Sequence, residues 1–269
     1  MHDRPRCSER TVLEKLQFGV LGDAHRVDPR FFALRLSHDR NGPPTWEPGQ
    51  FVMVRPASFG LEIPWGRPLG ICTVDERALT VFFQVIGRGT QKLAAVQTGE
   101  NVLVWGPLGN GFAIETEKPT VLLAGGMGIV PFIGYVRRHP APWKLMMVFG
   151  HTQPIDCYPI NSVRDRIPVD SLRETKPGDL DNLLFTIEER MRDCGLQNGL
   201  VLACGPLPFL RTVHHFAKAY QVRTQLSLEN RMACGVGACL GCVTKKAHSN
   251  DNLQICTKGP IFWADQIDL

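Results

Sequence analysis

The chain has 269 residues, which is enough for about two ordinary domains at roughly 150 residues each, with room for a small module besides. It is 43% hydrophobic and 21% charged, the balance of a globular protein with real cores, and its net charge of +4 comes without a dense Lys/Arg cluster, which argues against nucleic acid as a partner. No apolar run reaches the ~18 residues that span a bilayer, and residues 1–10 are polar, without the apolar segment of a secretory leader.

Nine cysteines in such a chain imply a reducing compartment, hence a cytoplasmic protein, and make disulfides the weak reading of the thiols. Cys7, Cys72, Cys157, Cys194 and Cys204 are scattered and read as small hydrophobes or inert thiols. The other four form a pattern considered below.

In chain order, residues 15–119 predict β structure. Residues 31–36, 50–54, 78–85 and 101–104 are short, β-branched and aromatic, and Gly and Pro turns separate them. This pattern predicts an antiparallel barrel or sandwich over residues 11–117. Three stretches there carry possible chemistry. Arg67-Pro68-Leu69-Gly70-Ile71 reads as a rigid Pro turn behind an Arg. Gly87-Arg88-Gly89-Thr90 precedes a short helix, so its N–H groups suit a phosphate. Residues 106–112 are a long Gly-rich turn. Each also reads, more plainly, as an ordinary hairpin turn.

From residue 118 the pattern changes. Residues 120–124 are a continuous apolar run, as in a strand buried on both faces, and they lead into Gly125-Gly126-Met127-Gly128 and a helix to about residue 138. Strand, Gly-rich turn and helix make the start of a nucleotide-binding unit, although the order G-G-x-G-x-x-P is not the G-x-G-x-x-G fingerprint. Residues 145–150 and 200–203 read as further parallel strands. The latter runs into Cys204-Gly205-Pro206 and a helix over 207–220. The expectation is a doubly wound α/β domain over 118–221 with ligands at the strand carboxyl ends. The stretch 151–182, broken by prolines, predicts only a short helix near 160–166. His151, His214 and His215 read as core or surface histidines, and Glu229 as a surface charge or partner contact.

Residues 222–269 form a third unit, with one strand at 222–226. Cys234, Cys239 and Cys242 stand as C-x4-C-x2-C, and Cys256 follows after thirteen residues. Four thiolates at that spacing match a plant-type [2Fe–2S] cluster. Gly235, Gly237 and Gly241 interleave them and permit a tight loop. Zinc is the rival ligand, but only Cys239 and Cys242 make the C-x2-C pair that structural zinc sites use twice.

The order R-P-L-x-I, V-x-G-x-G-T, G-P-L-G-N-G-F, G-G-M-G-I-x-P, C-G-P and S-L-E-x-R-M-A-C-G-V-G-A-C-x-G-C covers almost the whole chain. It resembles the electron-transfer subunit of type B dihydroorotate dehydrogenase, within the ferredoxin-NADP reductase superfamily. The resemblance implies a multidomain α+β chain: an antiparallel β-barrel holding FAD, a doubly wound nucleotide domain, and a C-terminal [2Fe–2S] module. It implies FAD along Arg67, Pro68, Leu69 and Gly70, and along Gln84, Val85 and Ile86, with Gly89 and Thr90 at the pyrophosphate. NAD would approach across Gly125, Gly126 and Gly128 and across Cys204, Gly205 and Pro206. The cluster on Cys234, Cys239, Cys242 and Cys256 would face an FMN-containing catalytic subunit, in a heterotetramer, that oxidises dihydroorotate in pyrimidine biosynthesis. No catalytic acid–base set is expected, since the cofactors carry the chemistry. The same architecture suits a subunit of another oxidoreductase, of the ferredoxin-dependent transhydrogenase, hydrogenase or sulfite reductase type. Two departures stand out. Gly70 replaces the Ser of the family's R-P-x-S, and the family's Asp-Gly-Ser-x-Gly stretch is missing from residues 169–178.

Overall fold

The computed structural model of the chain describes residues 7–18, 30–39 and 41–269. Residues 1–6, part of the polar segment read above, and residues 19–29 and 40, part of the expected first domain, lie outside them.

The chain begins with β1 (Cys7–Phe18), β2 (Phe31–Ser37), β3 (Phe51–Pro56), β4 (Arg67–Val74), β5 (Ala78–Gln84), α1 (Arg88–Ala95) and β6 (Asn101–Leu108). The six strands close into a barrel in the order β1-β2-β5-β4-β3-β6. Period-two alternation sorts their side chains. Leu34, Leu36, Val52, Val54, Leu79, Val81 and Val104 fill the barrel. Their neighbours Phe31, Ala33 and Phe82 point outward, yet they are buried against the second domain. The strands are apolar on both faces because both faces are covered. One expectation fails here: Arg67–Gly70 is the start of a strand, not a turn. Pro68 is tolerated because β4 pairs there only with β3, opposite Met53, and its pairing with β5 begins at Ile71.

The chain continues with β7 (Thr120–Gly125), α2 (Val130–Arg138), β8 (Leu145–His151), α3 (Asn161–Arg164), β9 (Val169–Arg173), α4 (Asp179–Leu196), β10 (Leu200–Cys204), α5 (Leu207–Ala219) and β11 (Arg223–Ser227). It ends with β12 (Val243–Lys246), β13 (Asn252–Gln254), α6 (Ile255–Lys258), β14 (Ile261–Trp263) and β15 (Ile267–Asp268). A six-stranded sheet has the order β14-β11-β10-β7-β8-β9, parallel except for β14. The chain winds outward from β7 to β9, then returns to place β10 and β11 on the other side. The switch point lies between β7 and β10. α2 and α3 cover the face that meets the barrel, and α4 and α5 cover the other.

The strand expected in the third unit at 222–226 is β11, and it belongs to this large sheet, as does β14. The reason is burial: Leu226, Leu228, Ile261 and Phe262 are all covered by the sheet domain and its neighbours. Only β13-β12-β15 form a separate small sheet. About fifty residues cannot make an independent core, and here they borrow one. Asn110, in the Gly-rich turn after β6, ties the units together. Its Nδ2 donates to Ile261 O at 2.8 Å, and its Oδ1 accepts from Ile261 N at 3.0 Å. Among the described residues no helix is long and apolar enough to cross a membrane.

Candidate functional site

β4 and β5 pair at Ile71 and Val81 but not toward the start of β4 and the end of β5. Where they part, a cleft of about 350 Å³ opens against the sheet domain. Arg67, Pro68, Leu69 and Gly70 form one wall, with the β4 backbone edge that lacks a β5 partner. Phe82, Phe83 and Gln84 form the second. Met127, Val130, Pro131, Cys204 and Ser227 close it from the sheet domain, and Leu228 through Asn230, Met232 and Pro260 close it from the cysteine unit. Ile86 stands at the mouth with 82% of its surface exposed, an apolar side chain left in the open.

Of the residues expected along a flavin, Arg67, Pro68, Leu69, Gly70, Gln84, Ile86 and Thr90 line this cleft, while Val85 and Gly89 do not. Gly89 has another part. A Cβ there would collide with the Arg67 guanidinium, so the missing side chain lets Arg67 lie on the first turn of α1. Arg67 also stacks over Phe59 at 5.5 Å, and it has only long contacts to the carbonyls of Trp65 and Gly66. Thr90 is committed locally: its Oγ1 accepts from Ile86 N and Gly87 N and donates to Gly87 O. The helix start therefore offers the cleft a guanidinium rather than a hydroxyl.

The two Gly turns of the sheet domain meet each other. A Cβ on Gly128 would collide with the Cys204 carbonyl, and one on Gly205 would come within 2.8 Å of Phe209 and 3.1 Å of Gly125. A Cβ on Gly125 would come within 3.0 Å of Pro206. Close packing at the β7–β10 switch point accounts for these three glycines. Gly126 differs: its φ is +52° and the space above it is open. Cys204 is buried opposite Ser227 in register, and burial, then the nearby Glu229 charge, pushes its thiol up to about 12. Glu229 reaches solvent at the lip of the cleft, yet the protein around it raises its carboxyl above the usual carboxylate range. Sequence reasoning missed Ser227 and Met127 and gave Glu229 no role in the site. The signal for Glu229 was its position at the end of β11, a carboxyl-end location in an open sheet.

Of the four motif cysteines, Cys234 Sγ and Cys239 Sγ are 3.3 Å apart, and Cys256, its thiol raised first by burial, lies near enough to Cys242 and Cys234 for both to raise it further. Among the described residues no three His, Cys, Asp or Glu side chains gather as one metal ion requires. Four thiols at the C-x4-C-x2-C…C spacing suit a cluster of two irons better than the paired C-x2-C knuckles of a structural zinc. Gly235 and Gly237 have φ of +72° and +83°, and side chains there would press on Met53 and Thr257. Val236 N donates to Cys234 Sγ at 3.4 Å, and backbone hydrogen bonds at Cys234 and Gly241 draw Cys239 down to about 7. Burial pushes Cys256 up to about 12, so a metal must displace its proton. The loop rests on the barrel, with Trp105 Nε1 donating to Cys234 O at 3.0 Å. Phe51 lines the cleft, and Met53, on the same face of β3, touches Gly235. Cleft and cysteine loop are thus separated by about 7 Å along one strand.

Comparison with known proteins bears on this arrangement. Residues 229–268 match the iron–sulfur cluster binding domain of dihydroorotate dehydrogenase B. Two bacterial proteins, each named dihydroorotate dehydrogenase B (NAD(+)), electron transfer subunit, are similar over most of their length. The one from Caldanaerobacter subterraneus subsp. tengcongensis is 30% identical over 82% of this chain and 86% of its own. The one from Listeria monocytogenes is 32% identical over 82% and 87%. In fold, the chain is similar to an NADH-dependent reduced ferredoxin-NADP oxidoreductase, with a TM-score of 0.76, 20% identity and coverage of 96% of this chain and 89% of that one. Ferredoxin-NADP+ reductase from Plasmodium falciparum follows, with a TM-score of 0.65, 12% identity and coverage of 81% and 95%.

Proposed function

Because the chain belongs to the family of dihydroorotate dehydrogenase B electron transfer subunits, we propose that it carries electrons between a catalytic partner that oxidises dihydroorotate on FMN and a nicotinamide nucleotide, NAD, by way of its own [2Fe–2S] cluster and FAD. The observation that carries this reading is the meeting of three units on one cleft. The unpaired edge of β4, the β7–β10 switch point and the approach to the cysteine loop all wall the same space. When bound, FAD would exchange electrons with a nicotinamide two at a time, as a hydride, and the cluster would pass them singly.

The residues present fit these groups. Arg67, free of any carboxylate partner among the described residues, holds the FAD pyrophosphate by charge-assisted hydrogen bonds. The backbone of Leu69 and Gly70, without a β5 partner, and the exposed Ile86 would help hold the flavin. The hydroxyl of the family's R-P-x-S is replaced by backbone here. Cys204, Ser227 and Glu229 border the face where a nicotinamide enters over Gly126, and the tight contact of Gly125 and Gly128 with Cys204 and Gly205 fixes that face. Cys234, Cys239, Cys242 and Cys256 would hold the cluster through their thiolates. Val236 and Leu240 stand exposed on the same loop and form the contact with the catalytic partner. A reducing cytoplasm suits a chain of nine cysteines.

Co-purification with the catalytic partner tests the whole reading. Denatured complex should release FAD and FMN, and the chain should hold two irons and two acid-labile sulfides. Cys256→Ala should lose iron and sulfide while keeping FAD. A complex that holds zinc without sulfide, or releases FMN alone, refutes it.

A further inference from the structure

The outer face of the barrel carries a short path from the cleft to the cysteine loop. Val52, Val54, Leu69 and Val104 fill the barrel. Side chains alternate along a strand, so Met53, Pro68 and Trp105 lie on its outer face. In register, Met53 stands between Trp105 of β6 and Pro68 of β4. Pro68 lines the cleft. Met53 and Trp105 meet the cysteine loop instead. A side chain on Gly235 would press on Met53 and Leu108, and Trp105 Nε1 donates to Cys234 O. Two strand spacings, about 10 Å in all, separate the backbones of Pro68 and Trp105.

The Trp105 ring crosses part of that gap. A Cβ on Gly66 would come within 2.6 Å of Trp105 Cη2 and 3.2 Å of its Cζ3. The indole therefore reaches over β3 to the foot of β4, one residue before Arg67. Gly66 is buried and has no left-handed φ, so the backbone there does not itself require glycine. The nearest obstacle to a side chain at this position is the indole. At its other end the ring carries an N–H that needs an acceptor once half-buried, and the carbonyl of the first motif cysteine supplies it. One rigid side chain thus touches the strand that walls the cleft and the loop that carries Cys234. A leucine or phenylalanine at 105 would cover Met53 and hold neither end.

We propose that Trp105 is a positioning residue that sets the cysteine loop against the flavin strand, so that a displacement at Gly66 is carried through the ring to Cys234. This rests on the assignment of FAD to the cleft and of the cluster to the four cysteines. A loop held only by burial of Met53, Leu108 and Cys242 would not respond to Gly66.

Amide exchange and the electron paramagnetic resonance of the reduced cluster test this on the full-length chain loaded with FAD and cluster. Trp105→Phe keeps an apolar ring and removes the N–H. It should retain iron, sulfide and FAD, yet exchange at residues 234–237 should quicken by about fivefold, the worth of one hydrogen bond, and the resonance of the cluster should change shape. Gly66→Ala pushes on the far end of the indole. In the parent chain it should quicken exchange at the same residues. In the Trp105→Phe background the shorter ring leaves that space, so Gly66→Ala should add little, a coupling that independent sites do not show. If Trp105→Phe changes neither exchange nor resonance, or lowers only the melting temperature, the proposal is overturned. Equal effects of Gly66→Ala in the two backgrounds overturn it as well. Both results leave FAD and cluster standing, whereas a parent chain that holds no FAD or no sulfide overturns the underlying reading together with the proposal.

Discussion

At the scale of single residues, the cleft holds one side chain whose charge the fold disfavours and one whose absence the fold does not require. The folded chain holds the Glu229 carboxyl above its ordinary range because the surrounding protein penalises the anion. The folded state therefore keeps this proton to higher pH than the unfolded state does. Stability falls as pH rises from the unfolded value, and the penalty is complete above the folded one. Glu229→Gln keeps the shape and removes the charge. Its melting temperature should exceed the parent's at about pH 8 and match it near the ordinary carboxylate value of about 4.3. A variant less stable at the higher pH would show that the anion has a partner. Gly70 is the second case. A Cβ there would sit 3.6 Å from Val130, an ordinary contact, so packing does not demand glycine. Gly70→Ser should fold, and its hydroxyl should tighten FAD by about two- to tenfold, the worth of one hydrogen bond, as read by flavin fluorescence in equilibrium dialysis. Weaker retention would mean that the flavin lies closer to β4 than a hydroxyl allows.

At the scale of elements, the turn after β6 and the strand β14 depend on one side chain. Asn110→Ala removes the two short hydrogen bonds to Ile261, and a long one to Lys258 O, and leaves the Ile261 N–H and C=O without them. The cost should be about 1–3 kcal/mol, seen as a lowered denaturation midpoint with faster amide exchange at Ile261–Trp263 and little change in β2. Unaltered exchange at β14 would show that burial of Ile261 and Phe262 alone holds the strand. Nothing in the sequence announced this tie, because Gly109-Asn110-Gly111 looks like any polar turn until its distant partner is known. The legible elements were those whose pattern comes from local burial: β2, β3, β5 and β6 of the barrel, β7, β8 and β10 of the sheet, and α2 and α5. The cysteine motif was legible because metal ligation fixes spacing. β4 was misread because Pro68 signals a turn unless one knows that the strand is half-paired there. β9 was hidden by its polar composition, since only its Leu172 and Val169 reach the cores. α4 was readable in principle: Leu183, Ile187, Met191 and Cys194 recur at helical spacing and are its buried stripe.

At the scale of the whole molecule, the barrel, the sheet and the cysteine unit share surfaces rather than standing apart. Phe51, Met53 and Leu108 of the barrel are buried in the same core as Cys242, Ile255, Cys256, Leu226 and Phe262. Phe31 and Phe82 of the barrel are buried with Phe132 and Tyr158 of the sheet domain. A ligand in the cleft touches a wall from each unit, so its binding energy should be distributed over all three. A ligand that binds only the folded state stabilises it by about 2.7 kcal/mol at a free concentration one hundred times its Kd. Adding FAD to flavin-stripped chain should therefore slow amide exchange together at residues 67–70 of β4, residues 127–131 at the start of α2, and residues 228–232 before the cysteine loop. The last group decides the matter, because a flavin held by the barrel alone has no reason to quiet a segment that leads to the iron ligands. If exchange slows only in β4 and α1, the cleft is a boundary between independent units. If it slows in all three, the flavin is the keystone that fixes the distance between the cysteine loop and the nucleotide turn.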